Sequence, residues 1–324
     1  MHDEMSSGVL YITAGKMYLE EAKESARILK AEMPDISISI VADRPPESEL
    51  FDEYIELSEP NFGWLDKVEN LSRTPYDKTV YFDSDVYVES EFSEIFDILD
   101  VFDVAMVPDP NQHPVLDSQY NAQTTEMYSG AGRTLTEFNA GVIAYRMTDS
   151  VNDCLDDWQE LYDPDEHWSD QPSLRVALSR NDVRFYPLRT QYNYMPGLEN
   201  LLSGEVKIVH NRLIDSPDLR PRYKDVPPSE LQSVIAKVNS NAGIARVAYP
   251  ALGHGGIESY HEIVVRPPTS PPERLYYSVK AHGLSATVRA YPPVSLVESL
   301  YRSITERGVE TTTRAIARKL LGKS

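Results

Sequence analysis

The stretch Lys78 to Val88, KTVYFDSDVYV, constrains the fold of this chain more than any other. Thr79–Phe82 are β-branched or aromatic, which predicts a buried strand, and Val86–Val88 resume the same character. Between them stand Asp83 and Asp85, one residue apart. A charged aspartate rarely lies at the end of a hydrophobic strand without a partner. Two such charges repel, and a divalent cation neutralises both. The carboxyl ends of strands are also where open α/β sheets bind ligands. A D-x-D triplet alone is a weak signal; the strand in front of it makes it informative.

The flanking sequence supplies the sheet that such a strand needs. Gly8–Thr13 (GVLYIT) reads as a first strand, Tyr18–Glu32 as a helix, and Ile36–Ala42 (ISISIVA) as a second strand. Strand, helix and strand in so few residues make a βαβ unit and imply parallel pairing. Further strands are expected at Tyr54–Leu57, Asp103–Val107, Phe138–Arg146 (FNAGVIAYR), Val183–Leu188 and Val206–His210. Helices are expected at Trp64–Leu71, Phe92–Leu99 and Val151–Leu161, with another from Asp170. The class is therefore α/β. Pro108 to Thr136 is polar and glycine-bearing, the kind of long loop that is functional or disordered in a compact domain.

Charge divides the chain in two. The net formal charge is −20, yet residues 241–324 carry 11 Lys and Arg against 6 Glu. Residues 1–240 hold the acidic excess, which argues against nucleic acid as a partner. The acidic, Lys-poor composition fits either a halophilic protein or an ordinary acidic enzyme. The single Cys154 points to a reducing, cytoplasmic setting. MHDEMSSG lacks the basic and apolar regions of a signal peptide, and no apolar run approaches the ~20 residues of a membrane span. A soluble or peripheral protein is expected, with a domain boundary near 240: residues 1–240 as the main domain and 241–324 as a partly helical appendage.

Taken together, the motifs resemble glycosyltransferases of the GT-A fold, a Rossmann-like mixed sheet, and most closely glycosyltransferase family 8, the retaining group that includes glycogenin and galactinol synthase. YDKTVYFDSDVYV is similar to that family's strand ending in D-x-D, and Lys67 lies sixteen residues before Asp83, where the family carries a donor-contacting lysine. LYITAGKMYLEEAKESARIL resembles the opening segment, FNAGV the F-N-[SA]-G-V strand, Asp170-Gln171 the D-Q pair, and Val209-His210 the late metal-binding histidine. The resemblance covers about residues 8–212. The family's H-x-x-G-x-x-K-P-W ending is absent, since NRLIDSPDLRPRY follows His210.

The resemblance implies a metal-dependent hexosyltransferase using a nucleotide-sugar donor, most simply a UDP-sugar. Asp83, Asp85 and His210 would ligate Mn²⁺ (or Mg²⁺), and the mixed oxygen and nitrogen set favours Mn²⁺. Thr13, Ala14, Gly15 and Tyr18 would hold the nucleotide, with Lys67, Asp83, Ser84, Asn139 and Gly141 also on the donor. Asp170, Gln171 and Lys67 would stand at the reacting carbon. The acceptor would be a glycan, a protein or a lipid-linked sugar, and a homo-oligomer is compatible with the composition.

Blander readings of single residues remain open at this point: Lys67 as a solvated helix residue, His210 as a hydrogen-bonded core histidine, Asp170 as the N-cap of S-D-Q-P. Other functions weigh less. A haloacid-dehalogenase-type phosphatase places its D-x-D on the first strand with a Thr after it, and here Val86-Tyr87 follow. A binder of sugar nucleotide without turnover is the non-enzymatic alternative.

Two expectations concern less regular segments. The 108–137 loop is expected to order over bound donor or acceptor, as lids do. The end of the chain reads as two helices, Ser295–Ile304 and roughly Val309–Leu321, the second amphipathic, within a basic segment 301–324 that carries Arg302, Arg307, Arg314, Arg318, Lys319 and Lys323. Such a helix lies on an anionic membrane face, here the inner one, or packs on an acidic protein surface. Co-sedimentation with anionic liposomes separates the two. Membrane contact predicts that a truncation ending near Pro293 stays in solution while the full chain sediments, and equal sedimentation rejects it.

Overall fold

β1 (Ser7–Thr13) is buried on both faces, with Val9 and Tyr11 in one apolar cluster and Leu10 and Ile12 in another. That two-sided burial explains its continuous apolar run in place of alternation. The structure, a computed structural model, describes residues 5–110 and 135–240 (apart from 166, 168, 199, 217 and 220–224), together with 242, 246–248 and 264–265. The chain divides into two units, Met1–Val265 and Arg266–Ser324, and every described residue belongs to the first. The expected C-terminal helices and the interior of the 108–137 loop lie outside the described residues.

After β1 come α1 (Lys16–Glu32), β2 (Ser37–Ala42), β3 (Glu53–Glu56), α2 (Trp64–Asn70), β4 (Lys78–Phe82), β5 (Val86–Val88), α3 (Glu94–Ile98) and β6 (Val104–Pro108). Beyond the loop follow β7 (Phe138–Arg146), α4 (Asp149–Leu161), α5 (Gln171–Arg180), β8 (Phe185–Pro187), β9 (Asn200–Leu202) and β10 (Ile208–His210). α6 (Pro228–Asn239), β11 (Arg246–Ala248) and β12 (Val264–Val265) complete the described part. The expected elements appear with ends shifted by a few residues, as helix and strand ends commonly are. β9, α6, β11 and β12 are not among them, although Leu231, Val234, Ile235 and Val238 recur at helical spacing in α6.

The main sheet has seven strands in the order β3-β2-β1-β4-β7-β6-β8. Every pairing is parallel except those of β7, which runs against β4 and β6. This is the mixed α/β sheet that the sequence predicts. α1 covers one face through Leu19, Ala22, Ala26 and Leu29, beside Phe92 and Ile95. On the other face lie Val68, Val151, Cys154, Trp158 and Leu174 from α2, α4 and α5. Trp158 is wholly buried, and its indole N–H donates to the Asp170 carbonyl at 3.0 Å and to Ser173 Oγ at 3.1 Å. That contact fixes the start of α5, and with it Asp170. No helix among the described residues is long and apolar enough to cross a membrane.

Two small sheets extend this frame. β5 pairs antiparallel with β10, Val86 opposite His210. β9, β11 and β12 form a three-stranded sheet in the order β12-β11-β9, and α6 packs into a third apolar cluster with Tyr194, Val206 and Val209.

Far from the carboxyl edge, Asp103 locks β6, β7 and β8 together. Its side chain is buried and accepts from Arg146 Nε and Nη2 and from Arg184 N, Nε and Nη2 at 2.7–3.1 Å. Asp103→Ala leaves Arg146 without its main charge partner, while the half-exposed Arg184 can turn to water. The expected loss is about 2–3 kcal/mol in denaturant unfolding, below the figure for a fully buried pair. An unchanged midpoint would show that the lock contributes nothing.

Candidate functional site

Because β7 alone is reversed, the carboxyl ends of β1, β4 and β6 share one edge with the start of β7. Thr13–Gly15, Asp83–Asp85, Asp109 and Asn139–Gly141 therefore meet there, from segments far apart in sequence. His210 arrives by another route. The β5–β10 register sets it beside Asp85, and the Asn211 N–H donates to the Asp85 carbonyl at 2.9 Å.

Three ligand atoms converge. His210 Nε2 lies 3.3 Å from Asp85 Oδ1 and 3.8 Å from Asp83 Oδ2, and one atom from each of the three residues falls within 4.8 Å of the others. Ligands around a six-coordinate divalent ion stand about 3–4.5 Å apart, so the spacing fits. Asp85 and His210 side chains are 3% and 2% exposed; Asp83 is 26% exposed and forms the open side.

The imidazole's proton is placed by its neighbours. Asn139 Oδ1 accepts from the Gly141 N–H at 3.1 Å and from Asn193 Nδ2 at 2.9 Å, so it is an oxygen acceptor. His210 Nδ1, 3.2 Å away, is therefore the donor to it. Nε2 therefore faces two carboxylates, an arrangement that either a proton on the ring or a divalent cation between the three groups neutralises. The residues fit a divalent metal.

Gly141 makes this possible. A β-carbon there would stand 2.2 Å from His210 Cε1 and 2.5 Å from Nδ1. The space that a side chain would take is filled by the imidazole, a physical reason for glycine that differs from the donor approach expected from the sequence.

Lys67 joins the ligands to the expected catalytic pair. Its ammonium, on a side chain 6% exposed, is 2.5 Å from Asp170 Oδ2 and 3.7 Å from Asp83 Oδ1, and it donates to the Ala140 carbonyl at 3.3 Å. Burial pulls the Lys67 pKa down, but the charges of Asp170 and Asp83 outweigh it and hold it above the usual lysine value. Asp170 is raised because burial exceeds the pull of Lys67. Lys67 is thus no solvated helix residue. Asp170 occupies the N-cap position of α5 without a side-chain capping bond, its carboxylate turned to Lys67 instead. Tyr81 is pushed well above the usual phenol pKa by burial and by Asp83, and its hydroxyl donates to Asp83 Oδ1 at 2.6 Å.

Gln171 and Asn139 spend their amides inside the protein. Gln171 Nε2 donates to Asp109 Oδ2 at 3.1 Å and Glu137 Oε1 at 3.0 Å, while its Oε1 accepts from Asn139 Nδ2 at 3.1 Å and the Ala140 N–H at 3.3 Å. Two N–H groups and two acceptor positions are the whole capacity of an amide. Asn139 Nδ2 also reaches Asp109 Oδ2 at 3.0 Å. Both side chains therefore act here as struts.

At the end of β1, Gly15 has a φ of +94°, a conformation that side-chain-bearing residues rarely adopt, and its N–H donates to Asp43 Oδ1 at 3.1 Å. Ala14 and Thr13 are buried, and the Thr13 hydroxyl has no hydrogen-bond partner among the described residues. Tyr18 is exposed. Ser84 is buried and donates to Glu21 Oε2 at 3.2 Å, so its hydroxyl is committed to α1.

Sequence reasoning missed Glu21, Asp109, Glu137, Asn193 and Arg212. Two had legible signals. Asp109 follows the apolar VAMVP as Asp83 follows TVYF, and Glu21 lies on the buried face of α1 among Leu19, Ala22 and Ala26. Burial and the charge of Asp85 push Glu21 up to about 7, against the pull of Arg212.

No family model and no curated protein matches this chain. Solved structures do. The galactosyltransferase LgtC with donor and acceptor sugar analogues is 13% identical, with a TM-score of 0.46 over 71% of this chain and 95% of LgtC. The apo bifunctional glycosyltransferase WbbM is 16% identical, with a TM-score of 0.45 over 61% of this chain and 41% of WbbM. Mouse xyloside xylosyltransferase 1 in apo form is 12% identical, with a TM-score of 0.43 over 67% of this chain and 99% of that enzyme. This chain thus spans less than half of WbbM.

Gly141→Ala tests the packing of the histidine. The added methyl must displace the ring and break its bond to Asn139, so Mn²⁺ affinity should fall roughly tenfold or more while the thermal melt stays cooperative. Mn²⁺ titration by calorimetry reads this directly, and unchanged affinity would remove His210 from the ligand set.

Proposed function

We propose that this chain is a metal-dependent glycosyltransferase of the GT-A type, moving a sugar with retention from a nucleotide diphosphate-sugar, a UDP-sugar first, to a glycan, protein or lipid-linked acceptor. The observation that carries the reading is the convergence of Asp83, Asp85 and His210 at the carboxyl edge of the sheet, with His210 Nδ1 bonded to Asn139 and Nε2 facing both carboxylates. A divalent ion held there, Mn²⁺ or Mg²⁺, would supply Lewis-acid charge to a leaving diphosphate.

The chain's own residues have separable parts in this reading. Asn139 holds His210 in its ligating tautomer. Lys67 keeps Asp170 and Asp83 at fixed positions by pairing with both, so the polar group assigned to the sugar and the ligand assigned to the phosphates cannot drift apart. Asp170 is the carboxylate assigned to the reacting sugar. Gln171 serves as a positioning residue that orients Asp109 and Asn139. Thr13–Gly15 and Tyr18 line the nucleotide side, where the backbone at Gly15 opens the turn after β1.

A panel of UDP-, GDP- and dTDP-sugars with Mn²⁺, scored for hydrolysis and binding, tests the reading. One donor should be hydrolysed slowly in a metal-dependent way, and Asp85→Asn should lower that rate by roughly 100-fold or more with the fold intact. Excess chelator should silence the wild type and added Mn²⁺ restore it. Full hydrolysis in excess chelator would sink the proposal, and metal-dependent binding without turnover would favour a non-catalytic binder.

A further inference from the structure

Arg212 has a place in the site that metal ligation does not explain. Its Nη1 lies 2.6 Å from Glu21 Oε2 and 3.7 Å from Asp85 Oδ2, and its guanidinium carbon stands 5.5 Å from the centroid of the Tyr18 ring. Glu21 is wholly buried and Tyr18 is exposed, so the guanidinium runs from the interior to the rim. An arginine that serves only to neutralise a carboxylate commonly engages it with two nitrogens, fork on fork. Here both ion pairs use one nitrogen, and Nε has no hydrogen-bond partner among the described residues.

Glu21 sets this geometry. Its Oε1 accepts from the Leu213 N–H at 3.0 Å, and its Oε2 takes Arg212 Nη1 and Ser84 Oγ. One buried carboxylate thus ties the chain just after His210 to the turn between Asp83 and Asp85. Lys67, the other cation beside these ligands among the described residues, is committed to Asp170, Asp83 and the Ala140 carbonyl. Arg212 is the cation whose N–H groups are mostly unspent.

We propose that Arg212 forms a fixed anion subsite beside the metal ligands, donating its remaining N–H groups to a phosphate oxygen of a diphosphate, with Glu21 as the positioning residue that aims it. The inference rests on the metal-dependent reading above and adds to it a second, permanent positive charge that the metal does not supply. Phosphate is the matching chemistry because its tetrahedral oxygens accept from several guanidinium N–H groups at once.

Inorganic pyrophosphate is the probe, titrated into the full chain with saturating Mn²⁺ and followed by calorimetry. Arg212→Lys keeps a positive charge for Glu21 but replaces the planar fork of N–H donors with a point charge on a flexible stem. Its melting temperature and Mn²⁺ affinity should stay near wild type, while pyrophosphate affinity falls roughly tenfold. The double variant E21Q/R212Q removes both charges, avoids a buried unpaired carboxylate, and should lose pyrophosphate affinity to at least the same extent. Pyrophosphate binding equal to wild type in both variants overturns the subsite alone, provided that Mn²⁺ still binds. A wild type that takes up no Mn²⁺ overturns the metal reading and this subsite with it.

Discussion

Asp83 and Asp85 must be held close together in a buried setting despite their mutual repulsion, and much of the site's architecture answers that need. The backbone does part of the work: the Asp83 N–H donates to the Gly141 carbonyl, and the Asp85 carbonyl accepts from Asn211. Side chains do the rest. Tyr81 donates to Asp83, Lys67 pairs with it, and Arg212 approaches Asp85. These contacts come from β7, the segment after β10, β4 and α2, so the two carboxylates report on the assembly of the whole carboxyl edge.

The polar groups behind the ligands form a connected set. Asn139 links His210 to Gln171 and Asp109, and Gln171 links Asp109 to Glu137. A buried network of this kind rigidifies when its hydrogen bonds are made and is costly when one is removed. The saturated amides of Asn139 and Gln171 accordingly work by fixing their neighbours. Among the described residues, Asp83, the Arg212 guanidinium and the Tyr18 ring keep capacity toward the open side.

Placing such a network at strand ends has a structural requirement. The frame behind it must hold register, and the Asp103 lock with Arg146 and Arg184 does so at the opposite ends of β6, β7 and β8. Trp158 performs the corresponding task for α5, bonding to the Asp170 carbonyl so that the carboxylate on the same residue faces Lys67. Gly141 completes the arrangement by yielding its side-chain volume to the imidazole.

The sequence by itself determined the α/β class, because two-sided burial writes continuous apolar strands such as GVLYIT and periodic helices such as α1. It also marked Asp83 and Asp85, since charges directly after a buried strand require a partner. It did not reveal that β7 is reversed, nor that β5 and β10 pair, and these two facts bring Asn139 and His210 to the aspartates. Tertiary structure alone decided which polar residues are spent inside the protein and which face outward. Gln171 and Ser84 read as donor or catalytic contacts in one dimension, and the fold bonds Gln171 to Asp109 and Glu137 and the Ser84 hydroxyl proton to Glu21. Arg212 reads as a loop residue, yet the fold sets it between a buried carboxylate and an exposed ring. Hydrogen-bond capacity is a property of neighbours in space, and local sequence carries no record of it.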